Sequence, residues 1–105
     1  MERKKMNRLE HEKELVRQAL SDIECFAAIY DHYYPRVYNY LCLRVVNSHI
    51  VDDLASQVFE KVLSKLESYS PEKGEFSVWL FTIAANTLKD HFRAQNAISS
   101  ILQRG

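Results

Sequence analysis

Glycine and proline are scarce in this 105-residue chain, which contains two of each. Both residues mark turns, and runs of β-branched residues are also short, so long helices with few turns are favoured over a sheet. A chain of this length suits one small domain with a modest core. The sequence therefore predicts an all-α fold, a compact bundle of about four to five helices.

Long apolar segments are also missing. No apolar run approaches the roughly 20 residues that a membrane-spanning helix needs. The amino terminus contains no hydrophobic segment of the secretion-signal type. We therefore expect a cytoplasmic protein that does not insert into a membrane.

Cysteine and histidine are few and dispersed. Cys25 and Cys42 form no C-x-x-C motif and have no histidine at ligand spacing, so we expect reduced thiols packed near the core. The histidines lie in separate segments, at His11, His32, His49 and His91. The sequence therefore predicts no metal site and no other cofactor.

Motifs typical of enzymes are absent as well. The chain has no Gly-rich phosphate loop, no G-x-S-x-G elbow and no H-E-x-x-H pair. Asp52 and Asp53 are adjacent, so on a helix their carboxylates diverge instead of facing a substrate together. We therefore expect no catalytic residues and a binding protein rather than an enzyme.

Charge is balanced, with 14 basic and 14 acidic residues. Such a balance is a poor signature for a domain that grips duplex DNA unaided. The distribution is uneven, because residues 21–75 carry five basic and nine acidic groups whereas residues 76–105 carry three basic groups and one acidic group. The last segment is therefore mildly basic.

The strongest helical pattern extends from Phe76 to Arg93. Its apolar residues recur at steps of three and four, which places one buried face at Phe76, Trp79, Leu80, Ile83, Ala84, Leu88 and Phe92. The opposite side carries a polar ridge of Thr82, Asn86, Lys89, Asp90 and Arg93. A solvated face is one interpretation. The other is specific hydrogen bonding, because Asn, Thr and Asp are poor helix formers that suit it.

The amino-terminal part shows weaker patterns. Residues 1–9 should fray, and Glu10–Leu20 should form a short amphipathic helix. Ser21 and Glu24 match a capping box that begins the next helix. We divide the chain into a tail with a short helix at 1–20, a helical domain at 21–95 and the start of a linker at 96–105.

Two further helices are expected before Phe76. Proline lacks an amide proton, so the first should break or kink at Tyr34 and resume over Pro35–Val46. Asn47 or Ser48 can cap the second. The Ser, Pro and Gly content of Glu67–Glu75 predicts a loop. All long helices should share one core of Phe26, Tyr30, Leu54, Val58, Trp79, Ile83 and Phe92.

Three stretches resemble region 2 of bacterial extracytoplasmic-function sigma factors, and their order and spacing agree with that family. F-x-x-I-Y-x-x-Y-Y-P-R-V-Y-x-Y-L, at Phe26–Leu41, resembles region 2.1. D-D-L-A-S-Q-V-F-E-K-V, at Asp52–Val62, resembles region 2.2. W-L-x-x-I-A-x-N-x-x-x-D-x-x-R, at Trp79–Arg93, resembles regions 2.3 and 2.4.

The resemblance implies a surface that binds polymerase. In the family, region 2.2 docks on a coiled coil of the largest catalytic-core subunit of RNA polymerase. Ser56 and Gln57 stand where the family usually has Gln followed by Glu or Asp, so one charge is missing. The corresponding residues of this chain are Asp52, Asp53, Ser56, Gln57 and Lys61.

The resemblance also implies a DNA surface. In the family, regions 2.3 and 2.4 melt the promoter −10 element and hold a flipped base of its non-template strand. We expect the Tyr69–Lys73 loop and Asn86 to converge on one pocket for that base, with Lys89 and Arg93 near phosphates. The full set of candidates is Tyr69, Ser70, Lys73, Thr82, Asn86, Lys89, Asp90 and Arg93.

Two functions follow from these expectations. The first is a sigma factor region 2 domain that docks on core RNA polymerase and opens promoters, under the control of an anti-sigma factor. The second is a helical adaptor that binds a protein such as an anti-sigma factor and has no DNA activity. Thr82 and Ala85 favour the second, because family members often carry Arg or Lys there.

Overall fold

The computed structural model describes residues 8–104, with the side chains of residues 11–103. Over that range the chain forms four α-helices, two short 3₁₀ turns and no strand. The helices are α1 (Arg8–Ala19), α2 (Ile23–Cys42), α3 (Ser48–Lys65) and α4 (Phe76–Arg104), and the turns are Leu66–Ser68 and Pro71–Lys73. The predicted all-α bundle is confirmed.

Helix α1 begins earlier than the apolar pattern indicated. Arg8 and Leu9 are already helical, whereas the rest of the segment expected to fray, residues 1–7, lies outside the described residues. Val16 and Ala19 are buried in the core. The hydroxyl of Tyr33 on α2 also donates a hydrogen bond to the Glu12 carboxylate. Apolar packing and this hydrogen bond join α1 to the bundle.

The capping box predicted at the start of α2 is wrong in its cap residue. Asp22 is the N-cap, and its side-chain oxygen accepts a hydrogen bond from the Glu24 amide at 2.9 Å. Ser21 belongs instead to the turn after α1, where its amide donates to the Gln18 carbonyl at 3.2 Å. Aspartate is as good an N-cap as serine, so shifting the cap by one residue keeps an amide of the helix start satisfied.

A break at Tyr34, one of the two predicted outcomes, does not occur. Helix α2 continues through Pro35 and ends at Cys42, four residues before Val46. Pro35 still has no amide proton for the carbonyl four residues earlier. Burial outweighs that loss, because four apolar side chains on both sides of the proline recur at steps of four and are almost inaccessible: Ile29, Tyr33, Val37 and Leu41.

Helix α3 begins as the sequence predicted. The Asn47 side chain accepts hydrogen bonds from the amides of His49, at 2.9 Å, and Ile50, at 3.4 Å. The buried side includes Phe59, which the pattern had not singled out and whose ring lies 4.8 Å from that of Tyr30. It consists of Val51, Leu54, Ala55, Val58, Phe59 and Val62.

The segment between α3 and α4 forms the predicted loop, tightened by its two 3₁₀ turns. The Tyr69 hydroxyl donates a hydrogen bond to the Gly74 carbonyl at 2.9 Å, which closes the loop on itself. Helix α4 then continues well past Arg93, to Arg104. The last helical turns expose Ile98 and Ile101. The segment at 96–105, which was expected to start a linker, is therefore helical up to Arg104.

The core is close to the predicted one, with three differences. Phe26, Leu54, Val58 and Ile83 are buried, and Trp79 is half-buried against the core. Tyr30 and Phe92 retain 38% and 39% of their accessible surface, so they are rim residues. Cys25 packs against the core, but Cys42 is exposed, so the expectation for that thiol is wrong.

No helix within residues 8–104 has the length and apolar content to cross a membrane.

Phe76 at the start of α4 provides a test of this packing. Its side chain is 1% exposed, and its ring lies 5.6 Å from Tyr33, 5.2 Å from Tyr69 and 5.4 Å from Trp79. Phe76→Ala should lower the free energy of unfolding by about 3–5 kcal/mol, measured by urea denaturation. Phe92→Ala removes the same group from a partly exposed site and should cost less than half as much. Equal losses would contradict this core.

Candidate functional site

The polar ridge of α4 lies on the outside of the bundle. Thr82, Asn86, Lys89, Asp90 and Arg93 are all exposed. The opposite side of the same turns is buried at Leu80, Ile83, Ala84 and Leu88. The packing of one side therefore holds the predicted ridge towards solvent.

Two side chains of the ridge have partners. The Thr82 hydroxyl donates a hydrogen bond of 2.7 Å to the Val78 carbonyl of its own helix, so its proton is not available to a ligand. Arg93 and Asp90 approach to 3.9 Å, but both side chains are more than half exposed. Such an exposed ion pair contributes little to stability, so both charges stay available to a binding partner.

A hollow of about 400 Å³ lies between α3 and α4, and we call it the α3–α4 hollow. Five of its seven lining side chains carry charge, and four of those are cations. The lining residues are Lys61, Lys65, Ile83, Asn86, Lys89, Asp90 and Arg93. The structure therefore joins most of the predicted DNA ridge to two lysines of α3.

Lys61 reaches this hollow through a contact that the sequence did not reveal. Its ammonium nitrogen donates to the Thr87 hydroxyl oxygen at 3.0 Å, and that hydroxyl donates to the Ile83 carbonyl at 2.8 Å. Thr87 is 1% exposed. Its place among the apolar positions of α4 was the only signal, because a polar residue on a buried stripe needs a hydrogen-bond partner.

The loop candidates line a second hollow, of about 190 Å³, at the start of α4. Tyr69, Ser70 and Lys73 meet there with Val78 and Trp79. The Tyr69 ring lies 5.4 Å from that of Trp79. Burial, followed by nearby carboxylates, raises the pKa of Tyr69, so the phenol keeps its proton at neutral pH. The second hollow therefore combines an aromatic wall with one cation, Lys73, and one carboxylate, Glu75.

The two hollows do not form one pocket. They share no lining residue, and Trp79 and Asn86 are separated by seven residues, about 10 Å along the helix axis. The expected convergence of the loop with Asn86 on one cavity is therefore not seen in the structure. All of the DNA candidates except Thr82 line one of two neighbouring hollows along one side of α4.

The candidates for polymerase binding spread around α3. Asp52, Asp53, Ser56 and Gln57 are exposed. Asp52 and Lys61 are nine residues apart, which is about 180° around a helix. Asp52 lies beside Tyr38 of α2, whereas Lys61 contacts α4. The predicted set therefore includes residues that face opposite neighbours of α3.

A row of tyrosines borders Asp52 along α2. The ring centroids are 5.0 Å apart for Tyr30 and Tyr34 and 5.9 Å apart for Tyr34 and Tyr38. A hydrogen bond to the Asp52 carboxylate raises the pKa of Tyr38, and burial adds to the effect. Burial is the main cause of the raised pKa of Tyr34. Through the contact of Tyr38 with Asp52, this row of tyrosines connects α2 to the start of α3.

Among the residues that the structure describes, no group of three or more His, Cys, Asp or Glu side chains is placed to hold a metal ion.

The part of the sequence that forms these surfaces identifies the family. The family model of sigma-70 region 2 matches residues 29–98. The chain belongs to this family. The match includes α3, most of α2, both hollows and the α4 ridge. Helix α1 precedes the matched residues.

Curated relatives carry names of the same kind. The ECF RNA polymerase sigma factor BldN of Streptomyces coelicolor is 34% identical over 82 residues, 77% of this chain and 31% of that protein. RNA polymerase sigma factor CarQ of Myxococcus xanthus is 31% identical over 81 residues, 77% of this chain and 46% of that protein.

A third relative agrees with these two. The ECF RNA polymerase sigma factor SigW of Bacillus subtilis is 34% identical over 73 residues, 69% of this chain and 38% of that protein. The chain therefore spans less than half the length of each of the three. No solved structure gives a significant match.

The contact between Tyr38 and Asp52 in this region 2 domain gives a test of how α2 and α3 meet. Asp52→Asn should lower the pKa of Tyr38, because the substitution weakens the hydrogen bond that retains the phenol proton and removes the negative charge that opposes ionisation. The measurement is an alkaline titration followed by the Cζ chemical shift of carbon-13-labelled tyrosine. Tyr69, whose neighbouring carboxylates are Glu12, Glu72 and Glu75, should titrate as in the wild type. An unchanged Tyr38 midpoint would rule out the contact.

Proposed function

We propose that this chain is the region 2 domain of a sigma factor, which docks on core RNA polymerase in the cytoplasm and recognises and melts the promoter −10 element. It acts by binding and performs no catalysis itself. The observation that carries the proposal is the position of the exposed, partly basic α4 ridge inside the segment that matches sigma-70 region 2.

The polymerase surface is the outer side of α3. Asp53 and Gln57 are exposed and four residues apart, so they are neighbours on the helix surface. Asp52 and Ser56 extend this surface towards the tyrosine row of α2. A coiled coil of the largest core subunit presents side chains along a helix, which suits such a narrow strip. With Ser56 and Gln57 in place of a charged residue, Asp53 carries more of the electrostatic complementarity.

Charge reversal at Asp53 tests this surface. Asp53→Lys should clearly reduce the amount of core polymerase captured by the tagged chain, because a reversed charge at an interface opposes the partner's complementary charge. Helicity should not change, since the side chain is exposed. Glu67→Lys makes the same change of charge beyond the end of α3 and should capture as much as the wild type. Equal capture by Asp53→Lys and wild type would refute the assignment.

The DNA surface consists of the second hollow, the α3–α4 hollow and Thr82, which lies between Trp79 and Asn86 along α4. Tyr69 and Trp79 offer an aromatic wall on which an unstacked base can lie. Asn86 offers amide donors and an acceptor for the edge of a base. Trp79 and Asn86 lie about 10 Å apart along the axis of α4, a distance that a few nucleotides can cover. One short single strand therefore spans both sites.

Two substitutions on α4 distinguish recognition of the base sequence from binding of the phosphate backbone. In a protein that joins this chain to a −35-binding domain and is supplied with core polymerase, Asn86→Ala should reduce opening of promoters with the preferred −10 sequence. Arg93→Ala should weaken binding to all sequences alike, because phosphate contacts carry no sequence information. Permanganate footprinting measures opening, and competition with altered −10 sequences measures preference. An Asn86→Ala protein with unaltered preference would show that the base is read elsewhere.

The adaptor function is the second candidate. The equal numbers of acidic and basic residues and the engaged Thr82 hydroxyl favour it, because both leave fewer groups for DNA. The partner would be a protein such as an anti-sigma factor. Binding of single-stranded DNA with and without core polymerase distinguishes the two. A region 2 domain shows sequence preference once polymerase is present, whereas an adaptor shows none in either case.

A further inference from the structure

The α3–α4 hollow concentrates positive charge on a chain whose charges otherwise cancel. Four cationic side chains and one carboxylate line it, which gives a local net charge of +3. The α4 ridge contributes Lys89, Arg93 and Asp90, a net charge of +1. The other two positive charges come from Lys61 and Lys65 of α3. Without these lysines, the ridge is a weak site for an anion.

Lys61 is held in position before any ligand arrives. Its ammonium group has three protons to donate, and the Thr87 hydroxyl accepts one of them. Thr87 is itself fixed, because it is buried and bonded to the Ile83 carbonyl. Two protons of the Lys61 ammonium therefore remain for another acceptor. A mobile surface lysine offers no comparable fixed donor.

The anion that this hollow fits is a phosphate group. Arg93 can donate two parallel hydrogen bonds to phosphate oxygens, and lysines supply point charges around it. The single carboxylate, Asp90, lies 3.9 Å from Arg93 in an exposed pair and leaves that guanidinium largely available. The open hollow, about 400 Å³, also admits the chain on either side of a phosphodiester.

We infer that Lys61 and Lys65 belong to the nucleic-acid surface and that the α3–α4 hollow holds a phosphodiester of a single strand. The inference rests on the proposed function, because it takes the ligand to be the strand that passes Asn86. It moves Lys61 from the polymerase side of α3 to the DNA side. The boundary between the two surfaces then runs along α3 between Gln57 and Lys61.

Neutral substitutions of the two lysines test the inference. Lys61→Gln and Lys65→Gln are compared with Arg44→Gln, which removes the same charge from the far side of α4. There the Arg44 guanidinium lies 3.8 Å from the Tyr40 ring centroid, and Tyr40 packs on Phe81. Binding of the 105-residue chain to short fluorescein-labelled single-stranded DNA is followed by fluorescence anisotropy at several salt concentrations. Circular dichroism melts show that each variant is folded.

Each lysine variant should bind about fivefold more weakly than the wild type at about 0.1 M salt. The slope of log K against log salt should become shallower by about 0.7, the value for one phosphate contact on a single strand. Lys61→Arg keeps the charge and should retain most of the affinity. Arg44→Gln should match the wild type. Lys65 has no bond to Thr87, so Lys65→Gln tests the site even if Lys61→Gln is destabilised.

Three results would overturn the inference. If both lysine variants bind like Arg44→Gln while Arg93→Ala still weakens binding, the α3 lysines lie outside the DNA surface and the proposed function stands. If Lys61→Gln weakens capture of core polymerase and leaves DNA binding unchanged, the hollow serves an acidic protein surface. If the wild type binds no single-stranded DNA, alone or with polymerase, the inference and the proposed function both fail.

Discussion

The structure depends on burial of one side of the first half of α4. Phe76, Leu80 and Ala84 are almost inaccessible, and they pack with the buried sides of α2 and α3. This contact fixes the rotation of α4 about its own axis, so it also fixes which residues face outward. The position of Asn86 over the α3–α4 hollow and that of Trp79 beside the loop both follow from it. Any change that rotates α4 would disturb both hollows together.

Helical periodicity was enough to predict the parts of the fold that depend on a single helix. The polar ridge of α4, its buried side except for Phe92, the burial of Leu54 and Val58 on α3 and the cap at Asn47 agree with the pattern. These features follow from the geometry of one helix and from the chemistry of its first turn. The exposure of the α4 ridge was therefore predicted correctly, although the partners of its residues were unknown.

The errors concern relations between helices. A local rule about proline predicted a break or kink at Tyr34, but α2 is continuous because its neighbours bury one of its sides. The same limit explains why the sequence did not reveal the contact of Lys61 with α4, because its partner Thr87 lies 26 residues further along the chain. The loop and Asn86 were expected to meet for a similar reason. Sequence order suggested proximity, and only the length of the intervening helix separates them.

The bond between Lys61 and Thr87 has a consequence for the temperature dependence of binding. A lysine side chain normally loses rotamer entropy when a ligand immobilises it. Here that entropy is already lost on folding, because the ammonium group is tethered to a buried hydroxyl. Heating should therefore weaken the contribution of Lys61 less than that of Lys65. The same tether makes the position of the Lys61 ammonium group depend on the packing of α3 against α4.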